Sequence, residues 1–124
     1  MTKRILIVDD EPNIVISLEF LMKREGFAVE IAADGEAALE ALAGSAPDLV
    51  ILDVMLPKMN GFEVCQQIRA NPRWRGIRIL MLTARGRDRE IAKGLGLGAD
   101  AYVTKPFSTR DLVAQVKQLL GQGP

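Results

Sequence analysis

The chain has 124 residues, with 16 basic and 16 acidic side chains and no histidine. This length suits one domain with a single core, and the balanced charge excludes a chain-wide basic field for nucleic acid or an anionic membrane. Without histidine the chain cannot itself use histidine as a general base, a metal ligand or a phosphohistidine. Cys65 has no partner for an internal disulfide, no signal-peptide pattern precedes the first predicted strand, and no apolar run approaches the roughly 20 residues of a membrane helix. We therefore expect a cytoplasmic protein that does not enter a membrane.

Short apolar runs alternate with longer amphipathic segments, the pattern of strand–helix units on a parallel sheet. The predicted strands are, in chain order, Arg4–Val8, Phe27–Ala32, Leu49–Leu52, Ile77–Leu82 and Ala101–Thr104. The first is almost continuous in isoleucine, leucine and valine, which favours a central strand that is covered on both faces.

Apolar residues at helical spacing, together with start and stop residues, predict a helix after each strand. The first predicted helix runs from Pro12 to the stop at Gly26, and the second from an Asp34 cap to Gly44. The third has the apolar face Phe62, Cys65 and Ile68, the fourth is a glycine-rich segment, and the fifth begins at Ser108 with Asp111. The fourth helix is expected to be short or mobile, because Gly94, Gly96 and Gly98 crowd its end and each helical glycine costs about 1 kcal/mol relative to alanine. Cys65 is interpreted as a small core residue, and Trp74 as a loop residue that covers the start of the fourth strand.

Polar residues stand at the ends of four of these runs: Asp9 and Asp10, Asp53, Thr83, and Lys105. If the runs are parallel strands of one sheet, their carboxyl ends lie side by side, and open α/β sheets bind ligands at that edge. Taken singly, the residues allow ordinary interpretations: strand-end acids or caps for the aspartate pair, a cap for the threonine, and a surface lysine. Asp53 is different, because an acid at the end of a buried strand needs a partner.

Four motifs, in order and at the usual intervals, resemble those of the response-regulator receiver domains of two-component signalling, which include the chemotaxis regulators. They are Val8-Asp9-Asp10-Glu11, Asp53 followed by Met55-Leu56-Pro57 and Asn60-Gly61, Thr83-Ala84, and Lys105-Pro106-Phe107. The resemblance implies a single-domain, flavodoxin-like (βα)5 fold of the α/β class. Its doubly wound sheet would have five parallel strands in the order 2-1-3-4-5, with helices on both faces. Residues 1–120 would form the receiver, and 121–124 a tail or the start of a linker.

The resemblance implies that Asp53 accepts a phosphoryl group from a histidine kinase or histidine phosphotransfer protein. Mg²⁺ prefers oxygen ligands and keeps several waters, so we expect Asp10 and Asp53 as direct ligands and Asp9 as a ligand directly or through water. By resemblance, the backbone carbonyl of Met55 is a further ligand, and Mn²⁺ can substitute. Three carboxylates in one pocket repel one another, and a divalent cation together with Lys105 would relieve that repulsion.

A switch is also implied by the resemblance. Thr83 would donate its hydroxyl to the phosphoryl group near the Ala84 backbone, and Tyr102 would rotate inward and reshape the surface of helix 4, strand 5 and helix 5. Ordinary sheet packing is the alternative interpretation of Tyr102. The resemblance implies a cis Lys105–Pro106 peptide bond, although only about 5% of such bonds are cis in folded proteins.

The resemblance also concerns hydrolysis of the phosphoryl group on Asp53. Met55 and Arg85 occupy the positions that flank the path of the attacking water in the family, so bulky Met55 is expected to slow hydrolysis. Glu11 is interpreted as an acid in the first turn of helix 1, favoured by the helix dipole.

Partners follow from the resemblance as well. The domain would be a stand-alone receiver or the N-terminal part of a longer regulator, with an output partner still to be identified and no direct contact with nucleic acid. It would assist its own phosphorylation and dephosphorylation without turning over a separate substrate. A homodimer on phosphorylation is weakened by Ala101, which follows Asp100 where the family's winged-helix transcription factors carry a second acid.

Three other functions are alternatives for the same residues. A phosphatase of the haloacid-dehalogenase type needs a second acid two residues after Asp53, where this chain has Met55. A flavin-binding flavodoxin needs hydroxyls and amides after the first strand, where this chain is acidic. A non-phosphorylated pseudo-receiver that acts as a protein-docking module would tolerate loss of the site residues, yet all of them are present.

Overall fold

The structure, a computed structural model, describes residues 2–84 and 88–121, with side chains for 2–84 and 92–121. Strands and helices alternate along these ranges. In chain order they are β1 Arg4–Val8, α1 Pro12–Arg24, β2 Ala28–Ala32, α2 Gly35–Gly44, β3 Leu49–Asp53, α3 Gly61–Ala70, a 3-10 turn Pro72–Trp74, β4 Arg78–Ala84, α4 Asp88–Gly96, β5 Ala101–Lys105 and α5 Thr109–Leu119.

The five strands form one parallel sheet in the order β2-β1-β3-β4-β5, which confirms the predicted fold. Val8 of β1 pairs with Leu52 of β3, Asp53 with Leu82 of β4, and Ala84 of β4 with Lys105 of β5. This register brings the polar ends of β1, β3, β4 and β5 to one edge. β1 lies between two strands, and β3 is buried at every position.

Alternate residues of the strands feed two apolar layers, one on each face of the sheet. Leu6 and Val8 belong to the layer that includes residues of α2 and α3, whereas Ile5 and Ile7 belong to the layer that includes residues of α1 and α5. A strand that is covered on both faces is apolar at almost every position, which explains the continuous runs in the sequence. Among the described residues, no helix has the length and apolar character needed to cross a bilayer.

Two predicted strand starts were early by one residue. The Phe27 amide donates to the carbonyl of Met22 at 3.0 Å and so completes the end of α1 instead of opening β2. The Ile77 amide likewise donates to the carbonyl of Trp74 at 3.2 Å in the 3-10 turn. Trp74 is half-buried against the core layer that contains Ile77, as the sequence predicted.

The predicted caps are present. The Asp34 carboxylate accepts the Ala37 amide at 2.8 Å, and the Ser108 hydroxyl accepts the Asp111 amide at 3.3 Å. Asn60, which was not predicted as a cap, caps α3 in the same way by accepting the Glu63 amide at 3.0 Å. The fourth helix is short, at nine residues, and its mobility stays a prediction.

Candidate functional site

An acidic cluster lies at the carboxyl edge of the sheet. Asp9 and Asp53 are 1% and 4% exposed, whereas Asp10 is exposed. One carboxylate oxygen from each of the three lies within 4.8 Å of the others. Because hard oxygen ligands suit Mg²⁺ and an exposed member leaves room for water ligands, the cluster has the chemistry to hold such an ion.

Backbone amides orient the two buried carboxylates. Asp9 accepts the Glu11 amide at 2.9 Å through Oδ1, and Asp53 accepts the Met55 amide at 3.3 Å, also through Oδ1. The second oxygen of each carboxylate is therefore directed to the amine described next. The loops after β1 and β3 thus supply one backbone hydrogen bond to each of these two side chains.

Lys105 joins the acids. Its Nζ lies 3.2 Å from Asp9 Oδ2, 3.3 Å from Asp53 Oδ2 and 3.4 Å from Glu11 Oε1. Burial would lower the pKa of Lys105, but the charges of Asp53 and Asp9 outweigh it, so its pKa is raised and the amine stays protonated. One ammonium group thus faces three carboxylates.

Glu11 does not lie in the first turn of α1, and that prediction is wrong. It is the N-cap residue of α1 instead of a first-turn acid, and its side chain makes no capping hydrogen bond. Its carboxylate contacts Lys105 instead, 94 residues away along the chain. The only sequence signal for this contact is its position beside the aspartate pair.

The carboxyl group of Asp53 has an unusual environment. Burial, and then the charge of Asp9, raise its pKa to about 6, while Lys105 and the Met55 amide act in the opposite direction. The fold therefore makes ionisation of Asp53 less favourable than it is in the unfolded chain. An added cation at the cluster would remove much of that disadvantage.

The structure also describes most of the other predicted site residues. Thr83 is buried at the end of β4, and the Lys105–Pro106 peptide bond is cis. The Met55 side chain is 63% exposed, whereas Arg85 lies outside the described residues. The Tyr102 hydroxyl donates to Met81 Sδ at 3.4 Å, and the ring packs against the core layer that contains Met81.

Gly61 allows the first turn of α3 to lie against the end of β3. Its amide donates to the carbonyl of Val54 at 2.9 Å. A Cβ at position 61 would lie 2.9 Å from Val54 Cα and closer still to the Asp53 carbonyl oxygen. Only glycine therefore fits beside the backbone that carries Asp53.

We expect Gly61→Ala to destabilise the domain by about 2 kcal/mol or more, because the overlap is with backbone that cannot move aside cheaply. Gly76→Ala is the matched control, since a Cβ there meets nothing within 4 Å. Urea unfolding followed by fluorescence of the single tryptophan, Trp74, measures both variants. Equal stability of the two variants would contradict the close approach of Gly61 to the backbone of Asp53 and Val54.

Residues 5–117 match the family of response regulator receiver domains. The chain belongs to this family. As a receiver domain it is a signalling domain of two-component systems, whose members interact with histidine kinases and output domains.

The receiver domain is similar to proteins of known sequence and structure. It is 49% identical over 120 residues to the alkaline phosphatase synthesis transcriptional regulatory protein PhoP of Bacillus subtilis, covering 97% of this chain and 49% of that protein. It therefore spans about half the length of that relative. A CheY-like receiver domain protein of Methanospirillum hungatei is 34% identical with a TM-score of 0.91, covering 98% of this chain and 96% of that one.

A third similar structure contains a metal. The receiver domain of the sensor histidine kinase PA1611 from Pseudomonas aeruginosa is 27% identical, with a TM-score of 0.89, covering 98% of this chain and 99% of that one. That protein has a magnesium ion coordinated in its active site cleft.

Proposed function

We propose that this receiver domain is a phosphorylation-dependent switch in which Asp53 accepts a phosphoryl group from a histidine kinase or histidine phosphotransfer protein. The observation that carries the proposal is the position of Lys105 Nζ, 3.2 and 3.3 Å from the buried carboxylates of Asp9 and Asp53. A structural salt bridge needs one acid. A second buried acid beside the same amine, with a third acid next to it, suits a site that receives a further ligand.

In the proposed reaction an oxygen of Asp53 bonds to phosphorus as the phosphorus–nitrogen bond of the donor phosphohistidine breaks. The electron pair returns to the imidazole of the partner, since this chain has no histidine. The transferring group carries charge on several oxygens, so catalysis consists mainly of positioning and charge neutralisation. Lys105, the Thr83 hydroxyl and the Ala84 backbone are proposed to receive those oxygens.

Magnesium fits the donor set. Asp10 and Asp53 would hold it directly, Asp9 directly or through water, and the Met55 carbonyl would be a further ligand. When bound, Mg²⁺ neutralises phosphoryl charge and lowers the repulsion among the carboxylates. The raised pKa of Asp53 supports this assignment, because burial and the charge of Asp9 disfavour its ionised form more than Lys105 stabilises it. Mn²⁺, with similar ligand preferences, can substitute.

The exposed face of α1 supports a docking site for the phosphodonor. Ile16 and Phe20 are 65% and 64% exposed one turn apart, and the Arg24 guanidinium lies 5.8 Å from the Phe20 ring centroid. α1 begins directly after the aspartate pair, so this apolar stripe extends away from the acidic cluster. A helix of a histidine-containing partner could pack on it and present its phosphohistidine to Asp53.

Output is proposed to run through Thr83 and Tyr102 to the surface formed by α4, β5 and α5, in a cytoplasmic signalling system. A homodimer through this surface is less well supported. Asp100 Oδ2 lies 2.8 Å from Arg69 Nη2 of the same chain and accepts the Ile79 amide. This carboxylate is therefore engaged internally, and Ala101 beside it carries no charge.

The proposal is tested by incubating the domain with acetyl phosphate and Mg²⁺ and measuring its intact mass. We expect a mass increase of one phosphoryl group that is lost in mild base, as an acyl phosphate requires, and that a chelator prevents. Mn²⁺ should restore the labelling. A folded domain that stays unlabelled by both acetyl phosphate and a phosphorylated histidine donor would instead favour the docking-only pseudo-receiver.

A further inference from the structure

Gly94, in α4, faces the ring of Tyr102. Gly94 is buried, and a Cβ built on it would overlap Tyr102 Oη and Cζ and lie 3.2 Å from Met81 Sδ. The Tyr102 hydroxyl donates to that same sulfur at 3.4 Å. The tyrosine ring therefore occupies the space that any side chain at position 94 would need.

The backbone at position 94 does not itself require glycine. Its φ lies outside the left-handed range, unlike that of Gly98 at +106°, and glycine weakens a helix interior relative to alanine. Gly96, two residues later in α4, has open space around its missing Cβ. The two glycines share one helix and differ in what lies opposite them.

α4 contacts α3 before and after Gly94, because Arg69 Nε of α3 donates to the Gly98 carbonyl just past the end of α4 at 2.8 Å. Lys93 Nζ lies 4.8 Å above the Phe62 ring of α3. The Gly94 carbonyl accepts the amides of Leu97 and Ala99 at 3.0 and 3.1 Å. An added methyl group at position 94 would overlap the end of the Tyr102 side chain, which can give way by rotating about its own bonds.

We propose that Gly94 is a positioning residue that acts through Tyr102: the absence of a side chain forms the seat that holds this ring against β4. Filling the seat moves the ring towards solvent. The consequence for signalling rests on the proposed function, because Tyr102 belongs to the α4–β5–α5 output surface. Residue 94 would then set the resting position of the switch.

The single tyrosine of the chain allows a direct test. With fluorotyrosine incorporated, ¹⁹F NMR gives the Tyr102 signal alone, and a soluble paramagnetic agent reports its exposure. In the unphosphorylated domain we expect Gly94→Ala to increase the paramagnetic relaxation of this signal several-fold. Gly96→Ala should leave it unchanged. A Gly94→Ala domain with the relaxation of the parent would overturn the proposal.

A double variant distinguishes a clash with the Tyr102 ring from a general effect of the Gly94→Ala substitution on α4. Gly94→Ala should lower the urea midpoint in the parent, but raise it in a Tyr102→Ala background. There the nearest remaining contact is Met81 Sδ at 3.2 Å, on a flexible side chain that no longer holds the tyrosine hydroxyl, and alanine favours the helix. The proposal fails if the midpoint falls equally in both backgrounds. This comparison holds even if Gly94→Ala alone folds poorly.

The two proposals fail separately. The exposure of Tyr102 is measured without phosphorylation, so ring displacement in Gly94→Ala would support the seat even in a domain that acetyl phosphate does not label. Labelling of Asp53 together with an unchanged ring in Gly94→Ala would leave the phosphorylation proposal standing and reject the seat.

Discussion

Replacing Asp53 with asparagine is expected to abolish phosphoryl incorporation and, at neutral pH, to make the unphosphorylated domain more stable by about 2 to 3 kcal/mol. The first effect follows because an amide cannot form the acyl phosphate. The second follows because the fold disfavours the ionised carboxylate through burial and the charge of Asp9. Gain of stability with loss of function is the expected signature of a site arranged for a missing ligand.

The pH dependence follows from the sign of the shift. The pKa of Asp53 is raised from 3.8 to about 6, so between these values the folded state binds more protons than the unfolded state. Stability of the parent therefore falls as pH rises through this range, and the whole penalty is present above about pH 6. The advantage of the asparagine variant should vanish below about pH 4.

Urea unfolding across this pH range, followed by Trp74 fluorescence, measures the difference. Asp111→Asn is the control, because it removes the same charge from an exposed position of α5. Adding Mg²⁺ should stabilise the parent by mass action and narrow the gap to Asp53→Asn. A parent that is as stable as the asparagine variant at neutral pH without metal would contradict the electrostatic account, and persistent labelling of the variant would assign the acceptor to another residue.

Replacing Lys105 with methionine should have the opposite effect on stability. The substitution keeps much of the side-chain volume but leaves Asp9 and Asp53 buried without their shared cation, which should destabilise the domain by about 3 kcal/mol or more. The raised pKa of Lys105 means that its contribution is fully present below its unfolded pKa and is lost only as pH rises beyond it. The variant should therefore show the full destabilisation at neutral pH. Mg²⁺ or acid, which reduce the repulsion between the carboxylates, should restore part of the lost stability.

Labelling by acetyl phosphate should also slow in Lys105→Met, by about a hundredfold, because a charge that neutralises the transferring group is missing. Lys23→Met is the matched control. The Lys23 amine pairs with Glu19 at 2.9 Å on the surface of α1, where such a helical pair contributes about 0.5 kcal/mol or less. Stability of Lys105→Met equal to that of Lys23→Met would show that the buried acids do not depend on the amine.

The local signals of the chain were sufficient for most of its secondary structure. Apolar runs located the strands because both faces of the sheet are covered, and Asp34 and Ser108 marked helix starts because capping involves only neighbouring residues. The early strand starts at Phe27 and Ile77 have one cause. Each apolar residue continues the apolar run of its strand, yet its amide donates its hydrogen bond to a carbonyl of the preceding helix or turn.

The sequence by itself determined the order of the elements and the set of groups at the carboxyl edge, because parallel strands of one sheet must align their ends. Only the tertiary structure decided which of those groups touch. The contact of Glu11 with Lys105, the approach of Gly61 to the Asp53 carbonyl and the space that Gly94 leaves for Tyr102 each depend on the distance between two elements. Those distances are fixed by the packing of the two core layers as a whole, and no residue pattern along the chain encodes them singly.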